Sequence, residues 1–184
     1  MKIFAGLFLL TFLNSLAFAD SAKEFSLEEK PLSDTMMLSN GALTLHLPVA
    51  FMNGARVVAS GYSVLIDKER HFSVETHTKA SWNNPEIAMN DVPRMLVEQD
   101  FSSVADEGLR RELQGIHKVL IENTKPNEID VIHHKNRAAY LVFSPQDSVV
   151  LVVDKDKPDA FTQISVYGLN RKEIEDHIIK GVMQ

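Results

Sequence analysis

Cysteine is absent from the 184 residues, and that omission alone excludes several chemistries. Disulfides, thiolate metal sites and a cysteine nucleophile are ruled out. So is a lipoprotein anchor, because the lipid is carried on a cysteine at the processing site. Glycine and proline are sparse, at 8 and 7 residues, and no repeat, low-complexity tract or Pro/Gly/Ser linker breaks the chain. Positive charge is in the minority, with 19 Lys+Arg against 25 Asp+Glu and a net charge of −6. Loss of Lys2 with an N-terminal signal would make the remainder one unit more acidic. A nucleic-acid role needs a basic face, so this balance argues against one. Beyond residue 19 no apolar run is long enough to span a bilayer, which takes about 20 residues.

What is present begins with residues 1–19, where one lysine, a short apolar run and Ala17-Phe18-Ala19 succeed one another. That is the layout of a secretory signal. The expected cleavage follows Ala19 and leaves a periplasmic protein with no membrane span and no lipid anchor. Polar residues 20–37 read as a flexible leader, and residues 38–184 as a single domain. A domain of roughly 150 residues buries about two-thirds of its unfolded surface, so the fold can rest on its core without crosslinks.

Along that domain, Asn40-Gly41 signals a turn, and Leu43, Leu45 and Leu47 alternate with Thr44 and His46 up to Pro48. This is the pattern of a half-buried strand. Residues 57–66 and 71–79 read as two further strands. In the latter, Phe72 and Val74 share one face, and His71, Ser73, Glu75 and His77 share the other. Asp91-Val92-Pro93 suits a helix start, with Val97, Phe101 and Val104 at helical spacing. Ser103 with Asp106-Glu107 suggests a second, short helix that carries Leu109 and Leu113 and stops at Gly115. Strands are then expected at 117–123, 129–134, 138–144, 148–153 and 161–167, with turns short enough to favour an antiparallel meander. The run from Val149 to Val153 is apolar on both faces and belongs at the sheet centre. Asn170, Glu173 and the Leu169/Ile174 pair compose a capping box and staple. Ile174, Ile178 and Val182 form the apolar stripe of a closing helix expected to cover the sheet. The fold class is therefore α+β: a mostly antiparallel sheet, a central helical segment and a C-terminal amphipathic helix packed on the sheet.

Seven histidines raise the question of metal. His71, Glu75 and His77 line one strand face, but zinc needs a further ligand and an orienting second shell. Solvated sheet residues explain the same pattern, so no metal and no cofactor are expected. His133 and His134 point to opposite faces and flank a turn. Gly61-Tyr62-Ser63-Val64-Leu65 lacks the second glycine of a nucleophile elbow, and no catalytic residue is assigned. Asn40-Gly41 and Asn53-Gly54 are isolated turns rather than a phosphate loop. Glu28-Glu29 and Asp106-Glu107 are adjacent in sequence and so do not face one another as an acid/base pair. Arg110-Arg111 reads as solvent-exposed. Trp82, ahead of Asn83-Asn84-Pro85, suits packing first and partner anchoring second.

The stretch Leu38-Ser39-Asn40-Gly41-Ala42-Leu43-Thr44-Leu45-His46-Leu47-Pro48 resembles the opening turn, alternating strand and proline of the DcrB-like proteins of the wider PsbP-like fold. Residues 174–184 are similar to that family's terminal helix. The resemblance implies binding or assembly rather than catalysis, and it supplies no functional residue to carry over. The missing lipoprotein cysteine departs from the typical DcrB-like member, so membrane tethering is not carried over either. The expectation is a non-enzymatic binding or assembly factor of the envelope whose partner is another protein. An immunity protein against a periplasm-targeted toxin is the alternative, and a hydrolase or metalloenzyme the third reading. The binding residues themselves stay unassigned.

Overall fold

The structure is a computed structural model that describes residues 23–26 (backbone only), 34–39, 43–58, 63–82 and 87–184. Seven antiparallel strands form the main sheet. They are β4 (Arg56–Val58), β5 (Ser63–Leu65), β6 (His71–Thr78), β7 (Glu128–His134), β8 (Arg137–Phe143), β9 (Asp147–Asp154) and β10 (Ala160–Tyr167). An eighth, β1 (Lys23–Ser26), adds in parallel to β7, giving the order β1-β7-β8-β9-β10-β6-β5-β4. β2 (Thr35–Ser39) and β3 (Thr44–Pro48) pair as a separate hairpin. The fold is α+β with a mostly antiparallel sheet, and β9 lies inside it, between β8 and β10.

Helices occupy both sides. From β6 the chain passes through α1 (Lys79–Trp82), α2 (Val92–Glu98) and α3 (Glu107–Thr124) to the far edge of the sheet. It then returns strand by strand until β10 lies beside β6. Side chains alternate along β8 and β9. Ala139, Leu141, Val150 and Val152 enter one core, whereas Ala138, Tyr140, Val142, Val149, Leu151 and Val153 enter the other. The second core is filled by α2 and α3 through Val92, Met95, Leu96, Leu109 and Leu113.

The first core is closed by α4, a continuous helix over residues 171–182 whose middle, Ile174–Ile179, has the wider π turn. Both halves of the Asn170/Glu173 capping box are made. Ile174, Ile178, Ile179 and Val182 are fully buried. The wider turn lets the consecutive Ile178 and Ile179 both reach the core. The hairpin shares this covering through Leu43, Leu45 and Leu47. Arginines hold α4 at each end. Arg171 pairs with the buried Asp130 at 2.6 Å, with Glu175 at 2.8 Å and with Glu128. Arg137 donates to the carbonyls of Val182 and Gln184 at 2.6 and 2.7 Å, and to Asp154 at 3.1 Å.

Several elements differ from the sequence reading. Residues 57–66 are two short strands, β4 and β5, rather than one. The helix expected to include Phe101 and Val104 ends at Glu98, where Gln99 turns left-handed, and both residues are buried in the following loop. The cap of α3 is Asp106, which accepts from the Leu109 N–H at 2.6 Å. α3 does not stop at Gly115; it continues through residues 117–123, which read as a strand. One helical glycine costs only about 1 kcal/mol, and Leu109, Leu113, Ile116 and Leu120 keep a continuous stripe against the second core. Segment 23–26, inside the expected leader, and segment 35–39, which runs across its end, are strands. The Leu43–Leu47 alternation belongs to the hairpin, outside the main sheet. Residues 1–19, read as a secretory signal, and Glu28-Glu29, Asn40-Gly41, Gly61-Tyr62 and Asn83-Asn84-Pro85 lie outside the described residues.

Candidate functional site

The helices cover only part of the sheet. α3 reaches across β9 and stops, so one face of β10, β6 and β5 is left open beside it. Between α3 and that face runs a groove of about 590 Å³. Its helix wall is Ile116, Val119, Leu120 and Asn123. Its floor includes His71 and Ser73 of β6, and Gln163, Ser165 and Tyr167 of β10. Register explains the floor, because residues paired across antiparallel strands share a face. Asp147, Tyr167, His71 and Leu65 form one row across β9, β10, β6 and β5, and Ser165, Ser73 and Ser63 form the next.

The floor is ordered by its own contacts. The Tyr167 and His71 rings stack with centroids 5.0 Å apart, and Gln163 Nε2 donates to Ser165 Oγ at 3.1 Å. Four large apolar side chains stand exposed on and around the groove: Val119 at 55 %, Tyr167 and Val58 at 40 % and Leu65 at 39 %. Val58 and Leu65 extend the apolar rim along β4 and β5, because each pairs into the rows above. Serine, histidine and acid residues also meet here. No hydrogen bond joins His71 to Ser73 or Ser165 among the described residues, and the His71 ring is engaged by Tyr167 instead.

At the other end of this face lies an aromatic corner. His77 stacks on Phe161 at 4.7 Å, and Trp82 meets Phe161 edge-on at 5.9 Å. The Trp82 Nε1–H donates to His77 Nδ1 at 3.4 Å, so Trp82 serves packing, as its sequence position suggested. Burial lowers the His77 pKa, against the opposing influence of Glu75 and the Gln163 amide.

The sequence placed His71, Ser73, Glu75 and His77 on one face, and the structure does the same. His71 and His77 are nevertheless taken up by different aromatic partners, and no group of three His, Asp or Glu side chains able to hold a metal occurs among the described residues. His133 and His134 flank the β7–β8 turn, where Lys135 is left-handed. Arg111 is exposed and pairs with Glu107. Arg110 is less free than expected, because its guanidinium donates to the Val104 carbonyl. Asp106 is taken up in capping α3.

The helix wall is the part that sequence reasoning missed. Reading 117–123 as a strand removed Val119, Leu120 and Asn123 from α3, and with them the groove. The signal available was the spacing of Leu109, Leu113, Ile116 and Leu120. It also explains His117, which from α3 donates through Nδ1 to the Leu96 carbonyl and ties α3 to α2. Among the described residues no helix is long and apolar enough to cross a membrane. Comparison with family models, with curated proteins and with solved structures gives no match.

Proposed function

We propose that this protein is a non-enzymatic binding or assembly factor of the cell envelope. It is exported to the periplasm and engages a protein partner along the groove between α3 and the open half of the sheet. The observation that carries this reading is that two exposed apolar side chains, Val119 and Tyr167, line one groove, and that exposed Leu65 and Val58 continue from it on the same sheet face. Apolar patches rimmed by polar residues are where proteins meet partners. Floor groups such as Ser73, Gln163 and Ser165 can pair with a partner's backbone. Export rests on the sequence of residues 1–19, and the DcrB-like resemblance points the same way.

The test uses protein recovered from the periplasm, with its first residue established as Asp20 by N-terminal sequencing, as bait for periplasmic extract. The expected result is a defined partner that is lost with Val119→Gln and with Leu65→Thr, while both variants melt as the parent does. Both positions are exposed, so their substitution leaves packing intact. Retention of the same partner by both variants would refute the groove as the contact surface.

A further inference from the structure

We infer that the groove receives a basic segment of the protein partner, one Lys or Arg side chain lying over Tyr167 and against Asp147; this rests on the binding function proposed above. No Lys or Arg lines the groove, and Asp147 is its one carboxylate. Among the described residues no cation pairs with Asp147, and the nearby Arg70 is already paired with Asp67 and Glu173. Asp147 stands directly across the β9–β10 pair from Tyr167, which sets their Cβ atoms about 5 Å apart. The Tyr167 ring is partly open to solvent, and its stack on His71 holds it in place. A cation over that ring gains from the ring face and from the adjacent carboxylate together.

A second exposed carboxylate extends the match. Glu75 lies opposite Gln163 on the same face, two strands across and four residues along from Asp147. By strand spacing and rise the two are roughly 16 Å apart. An extended chain covers that distance in about five residues. Basic residues four or six apart, an even interval that keeps them on one face of an extended chain, reach both Asp147 in the groove and Glu75 on the sheet beyond its lining, with apolar residues between them to meet Val119. An acidic segment finds no counter-charge there, since Arg56, the one cation in these rows, lies at the far edge on β4.

The experiment measures fluorescence anisotropy of labelled decapeptides that alternate Leu with Lys, Leu with Ser, or Leu with Glu, each titrated with the mature protein at low salt. The Leu–Lys peptide is expected to bind at least about tenfold more tightly than Leu–Ser, a difference of about 1.4 kcal/mol, and Leu–Glu more weakly still. Asp147→Asn and Tyr167→Leu should each remove most of the Leu–Lys advantage and leave Leu–Ser unchanged. Glu98→Gln, the same change in charge on the exposed side of α2, should have no effect. Equal binding of Leu–Lys and Leu–Glu, or Asp147→Asn behaving like Glu98→Gln, would overturn the inference. If Leu–Ser binds as tightly as Leu–Lys and Val119→Gln abolishes both, the groove stands as a binding surface and its basic preference falls. If Val119→Gln changes neither peptide binding nor partner capture, both readings fall.

Discussion

Truncating Ile178 to alanine tests what closes the first core. Ile178 is fully buried on α4, in one cluster with Leu45, Leu47, Phe72 and Ile164. The change removes three carbons, worth about 2.4 kcal/mol at roughly 0.8 kcal/mol each. A cavity term is added wherever the neighbours cannot collapse. Collapse is restricted here. The α4 backbone already lies close to β3 at Gly181, and Arg137 and Arg171 hold the helix at both ends. The expected loss is therefore about 4 kcal/mol, toward the upper part of the 2–5 kcal/mol range for such substitutions. Against a total of about 5–15 kcal/mol, that is a large share. At about 2–4 °C per kcal/mol the melting temperature should fall by about 10 °C. Urea unfolding of Ile178→Ala beside Val119→Ala gives the comparison, since Val119 is 55 % exposed and its truncation should cost less than about 0.5 kcal/mol. Equal midpoints for the two variants would refute the packing of α4 described above.

Two further outcomes follow from single contacts. A Cβ at Gly181 would meet the His46 carbonyl oxygen at 2.3 Å and Leu45 Cδ1 at 3.0 Å. Gly181→Ala should therefore lower stability by about 1–3 kcal/mol through overpacking, despite alanine's better helix propensity; denaturant unfolding that shows a gain would remove the close approach of α4 to β3. The second concerns acid. Burial depresses the His77 pKa in the folded protein, so below the ordinary value of about 6.5 the unfolded chain takes up the proton first. Stability is full above that pH and declines as pH falls below it. His177, likewise lowered by burial, adds to the same limb. His77→Gln should flatten the decline between about pH 6.5 and 5 in a melting series, and superimposable profiles would refute the assignment.

Where local and tertiary signals agree, the sequence is enough to read the structure. The meander from β7 to β10 is legible because its apolar runs are separated by turns too short for crossovers. α4 is legible because its cap, staple and stripe coincide. α3 is the opposite case. Residues 117–123 are rich in Val, Leu and Ile and follow a glycine, so their local pattern favours a strand. The second core overrides that preference by burying Leu109 and Leu113 on one helical stripe. The polar row from His71 to His77 could be seen in the sequence as one face of a strand. The groove beside it could not, because it exists only where α3 stops short of β6, a fact of spacing between distant elements. The strands at 23–26 and 35–39 are short, and they draw their order from β7 and β3 rather than from any pattern of their own.

The hairpin β2–β3 and the helix α4 come from far-separated parts of the sequence, yet they seal the same core. A chain cut before residue 171 would keep the whole sheet and still leave Leu45, Leu47, Phe72, Leu141 and Ile164 without their lid. Such a fragment presents a broad greasy surface, the feature by which incomplete chains aggregate. Closure of that surface therefore depends on α4, whose Ile174, Ile178, Ile179 and Val182 belong to the same core as the sheet and hairpin residues beneath them.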